Sequence, residues 1–205
     1  MWAYNPDSGK LRWLSEAVMS DSVCSSPIEA DGIIYAMGER GGGSVAIKTG
    51  GKGDVTKTHL AWEGKNGSRI GTPILWENRL YWISSGIVNC RDAKTGEEIY
   101  AERIPGNTTP DSSSSRGGNR GGFGGGRGRG GFGRSADYAS AVAVDGHLFQ
   151  ITGSGETLVV RMIKDFKFVG RNKITEDGSR FSGTPAIDDG QFFLRSDKHL
   201  YCIAK

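Results

Sequence analysis

Cysteine and histidine are the residues of this 205-residue sequence that most often act as nucleophiles, general bases or metal ligands, and the chain has three of each. Cys24, Cys90 and Cys202 lie far apart and form neither a CxxC pair nor a zinc-binding spacing. The histidines are equally dispersed. A cysteine outside any such pattern usually packs as a small hydrophobic residue. The spacing therefore predicts no catalytic residues and no metal site.

A tract at residues 116–134, RGGNRGGFGGGRGRGGFGR, has eleven glycines, five arginines and two phenylalanines. The chain has a net charge of +3, and without the tract this becomes −2. The tract resembles the arginine-glycine boxes of RNA-binding proteins, in which arginine contacts phosphate and both residue types stack on bases. The residues that would bind RNA or another polyanion are Arg116, Arg120, Phe123, Arg127, Arg129, Phe132 and Arg134. The alternatives are a surface loop without a ligand and a contact with acidic cell-wall or lipid head groups.

The tract belongs to a longer Ser-, Arg- and Gly-rich stretch at residues 107–135. This stretch has too few apolar residues for their burial to offset the loss of chain entropy on folding. The sequence therefore predicts a disordered loop insertion there, which divides the folded part into residues 1–106 and 136–205. We also expect no transmembrane segment and no signal peptide in this chain, because it has neither a long apolar run nor a basic start followed by an apolar core.

Four segments outside this insertion repeat one pattern, in which Ser or Thr, often followed by Pro, precedes a short run, a turn and an apolar run. The copies begin at Ser26, Thr72, Ser140 and Thr184, and their turns are Asp-Gly or Glu-Asn. Such residue pairs adopt the positive φ angles of a two-residue β-hairpin turn. The copies are 46, 68 and 44 residues apart, and setting the insertion aside reduces the middle interval to 39. A period near 40–45 residues with short strands is typical of β-propeller blades.

We therefore predict an all-β chain of about four β-propeller blades, each a sheet of four antiparallel strands. Apolar residues occupy consecutive positions in the second strand of each hairpin, which indicates sheets covered on both faces. Residues 1–13 provide a third and a fourth strand without the first two, and residues 200–205 provide a third strand without a fourth.

A second motif, small-x-Asx-x-x-Ser/Thr-Gly-x-x-x-aromatic, occurs twice. Its members are Ala3, Asn5, Ser8, Gly9 and Trp13 in one copy, and Cys90, Asp92, Thr95, Gly96 and Tyr100 in the other. We interpret it as a third strand, a tight turn and an outer fourth strand. The Asx side chain would cap the turn, and the aromatic ring would cover the glycine and pack against the adjacent blade. The predicted role of these residues is structural docking.

This motif resembles the tryptophan-docking motif of the PQQ-like β-propeller repeat. That repeat occurs in quinoprotein dehydrogenases and in the propeller lipoprotein of the bacterial outer-membrane β-barrel assembly machinery. The resemblance implies a propeller of seven or eight blades, of which this chain would be a C-terminal part, and a periplasmic or cell-envelope location. It also implies a non-catalytic scaffold that binds protein partners.

The same resemblance leaves an enzymatic alternative. A quinoprotein dehydrogenase needs a calcium-bound quinone and a catalytic aspartate, and many members have a vicinal cysteine pair. The sequence has no Cys-Cys pair, and its aspartates stand in predicted turns. We therefore expect no cofactor in this chain. The alternative is a fragment of a PQQ-dependent dehydrogenase whose active site lies upstream.

Overall fold

The computed structural model describes residues 1–16, 23–38, 43–68, 70–106 and 138–204. These residues form eighteen β-strands, and none of them lies in a helix. The predicted insertion at residues 107–135, with its seven candidate polyanion-binding residues, lies outside the described residues. No described segment forms a helix long and apolar enough to cross a membrane.

The strands form five successive sheets, which we number as blades in chain order. Blade 1 contains β1 (Trp2–Tyr4) and β2 (Leu11–Leu14). Blade 2 contains β3 (Ile28–Ala30), β4 (Ile33–Met37), β5 (Ser44–Lys48) and, after the two-residue β6 (Gly53–Asp54), β7 (Leu60–Gly64). Blade 3 contains β8 (Ile74–Trp76), β9 (Arg79–Ser84), β10 (Ile87–Asp92) and β11 (Glu98–Arg103). Blade 4 contains β12 (Val142–Val144), β13 (His147–Ile151), β14 (Glu156–Arg161) and β15 (Lys167–Lys173). Blade 5 contains β16 (Ala186–Asp188), β17 (Gln191–Arg195) and β18 (Leu200–Ile203).

The prediction of antiparallel four-stranded propeller blades is confirmed by blades 2, 3 and 4, in which successive blade strands are neighbours. Blade 1 has the third and fourth strands of a blade, and blade 5 has the first three. The described part of the chain therefore has three complete blades and two partial ones, where the repeat count had predicted about four.

Tight turns join the first two strands of blades 2 to 5, at the Asp-Gly and Glu-Asn pairs. Both central residues of each turn have positive φ, for example 51° at Asp31 with 75° at Gly32, and 46° at Glu77 with 60° at Asn78. These are the angles of a type I′ turn, whose twist matches that of the strands it joins. The turns fix the register of each hairpin, so the apolar residues on each face follow from the sequence.

The apolar core consists of layers between successive sheets. In β9, Tyr81 and Ile83 pack toward blade 4, whereas Leu80 and Trp82 pack toward blade 2. Tyr81 and Leu80 are both 0% exposed. Alternate residues of a strand point to opposite faces of the sheet, so an entirely apolar strand lies between two layers. Full burial of one such side chain contributes roughly 1.5–3 kcal/mol.

The Ser or Thr that begins each repeat forms a series of hydrogen bonds across the blades. The backbone N–H of Ser26 donates to Oγ1 of Thr72, that of Thr72 donates to Oγ of Ser140, and that of Ser140 donates to Oγ1 of Thr184, each at 3.1 Å. Every bond joins a residue to its equivalent in the next blade. The repeated Ser or Thr is thus an acceptor between blades.

Candidate interaction groove and the contacts between blades

The two predicted docking motifs form the same turn. Oδ1 of Asn5 accepts hydrogen bonds from the backbone N–H groups of Asp7 and Ser8, both at 2.9 Å. Oδ1 of Asp92 accepts from those of Lys94 and Thr95, at 2.9 and 2.8 Å. These hydrogen bonds stabilise the ionised carboxylate and hold the pKa of Asp92 below its usual value. The bond from the backbone N–H of Thr95 contributes most to this lowering. Asp92 therefore caps a turn.

The aromatic ring that covers Gly96 is Trp62 of β7, in the preceding blade, and not Tyr100 of the same motif copy as predicted. A Cβ atom at Gly96 would lie 2.5 Å from this ring, and Nε1 of Trp62 donates to the carbonyl of Ala93 at 2.8 Å. The guanidinium of buried Arg91 lies 5.9 Å from the ring centroid and donates to the carbonyl of Gly96. Trp62 thus joins the outer strand of blade 2 to the turn of blade 3.

The predicted aromatic residues make corresponding contacts with the next blade. Tyr100 packs edge-on against Phe166 of blade 4, with ring centroids 5.8 Å apart. Trp13 is buried and pairs with Gly53 of β6, which belongs to the connection between the third and fourth strands of blade 2. Each outer-strand aromatic residue therefore contacts the third-to-fourth-strand connection of the following blade.

Sequence reasoning missed Trp62 because the connection before it is long. Sixteen residues separate Ala46 from Trp62, whereas ten separate Ala3 from Trp13 and Cys90 from Tyr100. The additional residues form a strap at residues 49–59 that contains β6 and runs back to blade 1. The sequence does offer one signal for Trp62: the Leu-x-Trp pattern of Leu60–Trp62 also occurs at Leu11–Trp13 in the first motif copy.

The strap fastens blade 2 to blade 1 through backbone bonds. β6 pairs in parallel with β2, and the N–H of Val55 donates to the carbonyl of Leu14 at 2.9 Å. The N–H of Glu16 donates to Oγ1 of Thr56 at 3.0 Å. Val55 itself is 1% exposed, so the strap adds apolar packing as well as hydrogen bonds.

The cysteines have different environments. Cys90 is fully buried between blades 3 and 4, and burial raises its pKa to about 11. Its thiol therefore stays protonated near neutral pH and acts as a packing group. Cys24 and Cys202 are exposed, which differs from the expectation that cysteines outside a motif are buried.

A second group that the sequence did not reveal surrounds Asp177, in the connection between blades 4 and 5. Its carboxylate accepts from Oγ of Ser179 at 2.6 Å and from the hydroxyl of Tyr201 at 2.7 Å, and Nδ1 of His199 lies 3.4 Å away. The bond from Ser179 is the largest cause of the lowered pKa of Asp177. With its side chain only 3% exposed, Asp177 fastens the connection to β18.

An open polar groove lies between blades 2 and 3, on the side where each blade connects to the next. Its cavity volume is about 280 Å³, and its polar side chains are those of Lys65, Asn66, Ser84, Ser85 and Asn89. We call this site the blade 2–3 groove. Among the described residues, no group of three or more His, Cys, Asp or Glu side chains is placed to hold a metal ion.

Asn89 is the most unusual residue of the groove. It is 6% exposed and lies on β10, where the equivalent positions of β5 and β14 have the apolar residues Val45 and Leu158. Its amide donates to the carbonyl of Ile87 at 3.2 Å. A buried amide normally needs hydrogen bonds, and a groove beside it gives access to a polar ligand.

No protein-family model matches this sequence, and neither does any curated protein sequence. The fold resembles that of solved structures. BamB from Moraxella catarrhalis has a TM-score of 0.63 and 12% identity, over 98% of this chain and 51% of that one. A europium-containing methanol dehydrogenase has a TM-score of 0.54 and 12% identity, over 95% of this chain and 45% of that one. The computationally designed Ika8 protein has a TM-score of 0.51 and 9% identity, over 98% of this chain and 64% of that one.

The chain thus spans roughly half the length of BamB and of the methanol dehydrogenase. At these identities the likeness shows the fold alone. Two of these three structural neighbours, BamB and the methanol dehydrogenase, are of the two kinds of protein to which the docking motif had pointed.

The docking contact predicts a difference between two glycine substitutions. Gly9 and Gly96 have φ of 65° and 76°, but a Cβ atom meets nothing within 4 Å at Gly9 and meets the Trp62 ring at Gly96. Gly9→Ala should lower the free energy of unfolding by about 1 kcal/mol, from backbone strain alone. Gly96→Ala should lower it by about 3 kcal/mol, because the ring must also move. Urea denaturation of both variants measures this, and equal losses would contradict the docking role of Trp62.

Proposed function

We propose that this chain is a non-catalytic PQQ-like propeller segment that acts as a protein-interaction scaffold in the bacterial cell envelope. The observation that carries the proposal is that side chains able to act as nucleophiles or general bases have structural roles instead. Asp92 caps a turn, Cys90 fills the core and Asp177 fastens a connection between blades. The likeness to BamB supports a scaffold and an envelope location.

The blade 2–3 groove is the surface on which we expect a partner to bind. Lys65 supplies a positive charge at the groove, while Asn89 and the hydroxyls of Ser84 and Ser85 supply hydrogen-bonding groups. This set suits a polar or acidic peptide segment, whose carboxylates and backbone groups both require such partners.

The groove can be tested by reversing its charge. Lys65→Glu should reduce binding of an envelope partner at least tenfold, through repulsion of an acidic segment. Lys94→Glu, in the docking turn of blade 3 outside the groove, is the matched control and should leave binding unchanged. Quantitative affinity capture from membrane and periplasmic fractions compares the two variants with the parent chain. Equal capture by all three would exclude the groove, and no partner above background would contradict the scaffold.

The likeness to a methanol dehydrogenase favours a second candidate, a segment of a quinoprotein dehydrogenase. A scaffold should show no stoichiometric binding of PQQ in the presence of Ca²⁺. It should also show no dye reduction with methanol or ethanol. Absorbance titration and a dye-linked assay measure both properties. Stoichiometric binding together with alcohol oxidation would replace the scaffold proposal with this candidate.

We propose polyanion binding as a further activity of the tract at residues 116–134. Its five arginines carry positive charge, whereas the rest of the chain has a net negative charge. Deletion of residues 107–135 should abolish weak binding to single-stranded RNA at 25 mM salt. For the parent chain, log K should fall with log salt with a slope of roughly −2 to −4, from counterion release. Fluorescence anisotropy measures both. A variant with all five arginines changed to lysine keeps the positive charge but loses the guanidinium groups that stack on bases, so it separates the two contributions to binding. RNA binding that is unchanged by the deletion would contradict the proposal.

A further inference from the structure

The face of blade 3 that packs against blade 2 is polar where the equivalent faces of neighbouring blades are apolar. On β10 this face has Asn89 and Arg91, and both residues are 6% exposed. The equivalent positions of β5 and β14 are occupied by Val45, Ile47, Leu158 and Val160. Burial of an amide and a guanidinium costs stability unless both are hydrogen-bonded, so packing alone does not account for these two residues.

The polar groups of this interface are only partly satisfied. Nε of Arg91 and Oγ of Ser44 are buried without a hydrogen-bond partner among the described residues. Both side chains lie against Gly64, where a Cβ atom would be 2.6 Å from the guanidinium carbon and 2.7 Å from the serine oxygen. Gly43 and Lys65, which adjoin Ser44 and Gly64 in sequence, line the blade 2–3 groove. Incompletely satisfied polar groups thus lie beside the groove, and such groups are concentrated at functional sites.

A chain of polar contacts connects Arg91 with the groove. Nη2 of Arg91 lies 3.6 Å from Oε2 of Glu98, which pairs with it across β10 and β11. The same carboxylate oxygen accepts a hydrogen bond from Nδ2 of Asn66 at 2.7 Å, and Asn66 lines the groove. Nη1 of Arg91 donates to the carbonyl of Gly96 in the docking turn. A buried cation therefore holds Glu98 on one side, and Glu98 holds a groove residue on the other.

These contacts decide which end of each groove amide is left for a ligand. A carboxylate and a backbone carbonyl only accept hydrogen bonds, so the end of an amide that meets them is its NH2 group. The NH2 group of Asn66 is bound to Glu98, and that of Asn89 is bound to the carbonyl of Ile87. No described residue donates to Oδ1 of either amide. Two carbonyl oxygens of the groove lining are therefore left as acceptors.

We propose that Glu98 is a positioning residue of the blade 2–3 groove, and that it makes the groove a site for backbone N–H groups of an extended peptide. Glu98 holds Asn66 so that Oδ1 of Asn66 and Oδ1 of Asn89 accept from the peptide main chain, while Lys65 binds an acidic side chain. This inference rests on the groove being the surface that binds a partner. It adds that the partner is recognised through its main chain, because an extended peptide offers N–H donors at regular intervals.

A ligand that is only anionic fits the groove less well than a peptide does. The two amide oxygens repel a carboxylate or a phosphate, and Lys65 is the only charged side chain among the described residues that line the groove. The hydroxyls of Ser84 and Ser85 can donate to the carbonyl groups that alternate with N–H groups along a peptide. Donors and acceptors of the groove thus match both kinds of main-chain group.

Two matched peptides test the role of the main chain. The first is acetyl-Glu-Ala-Glu-Ala-amide, and the second is its depsipeptide analogue, in which lactic acid replaces each alanine. An ester oxygen then stands in place of each alanine N–H, while the carboxylates and methyl groups are unchanged. NMR titration of the 205-residue chain, followed at Ser84 and Ser85, should show about tenfold tighter binding of the peptide. The reason is that each lost N–H leaves an acceptor of the groove unpaired.

Variants of the chain then test the positioning role. Glu98→Ala and Asn66→Ala should each reduce the preference for the peptide to about threefold or less, although Lys65 is retained. Glu98→Gln also loses the ion pair with Arg91 but keeps an acceptor for Asn66, so it should restore the preference. Glu102→Ala is the matched control, because Glu102 of β11 lies opposite Val88 on the face toward blade 4. It should leave the preference unchanged.

Asn89→Leu tests the second acceptor, since it introduces the residue that blade 4 has at Leu158. It should reduce the preference in the same way without lowering the urea midpoint of unfolding. A lowered midpoint with an unchanged preference would show that Asn89 supports the fold alone, and would overturn its role as an acceptor.

The outcomes separate this inference from the proposed function. A depsipeptide that binds the unmodified chain as tightly as the peptide would overturn main-chain recognition, and the groove would remain a partner surface. A preference that survives both Glu98→Ala and Asn66→Ala would overturn the positioning role of Glu98. Binding of neither peptide at the groove would contradict the groove as a partner surface, and this inference with it.

Discussion

The burial of apolar side chains between successive sheets is the constraint on which the rest of this structure depends. No blade has a core of its own, since Tyr81 and Leu80 of one strand belong to two different layers. A sheet in such an array is stable only when both faces are covered. The polar contacts between blades therefore set the relative position of sheets that apolar burial holds together. The Ser and Thr hydroxyls that accept N–H groups of the preceding blade belong to these contacts, as does Nε1 of Trp62.

The sequence allowed the repeated parts to be predicted, because their geometry is local. An Asp-Gly pair such as Asp31-Gly32 requires positive φ at both residues, so it marks a hairpin wherever it occurs between apolar strands. An Asx residue three positions before a Ser/Thr-Gly turn step likewise caps its own neighbours, as Asn5 does. These features need no knowledge of which sheet lies beside which.

The missed features all depend on contacts between distant segments. Trp62 docks on Gly96 of another blade. The strap makes the segment before Trp62 longer than in the other motif copies, and the function of these additional residues is visible only from their pairing with blade 1. Asp177 and Tyr201 are 24 residues apart, and the fold of blade 5 brings them together. Asn89 is identifiable as unusual only after the strands of three blades have been aligned by their pairing. Spacing along the chain carries no signal for such contacts.

The strap at residues 49–59 has a consequence for how the molecule comes apart. In a linear array, a terminal unit can usually detach while the remainder stays folded. Here the strap of blade 2 pairs with β2, the outer strand of blade 1. The side chain of Val55, which belongs to the strap, is buried. Blade 1 therefore cannot open without withdrawing the strap from blade 2, which makes these two sheets a single cooperative unit of unfolding. The third and fourth strands of blades 3 and 4 are joined by short connections, and blade 5 has no fourth strand among the described residues. No such strap ties these three blades together, so the apolar layers and hydrogen bonds between neighbouring blades determine the order in which they open.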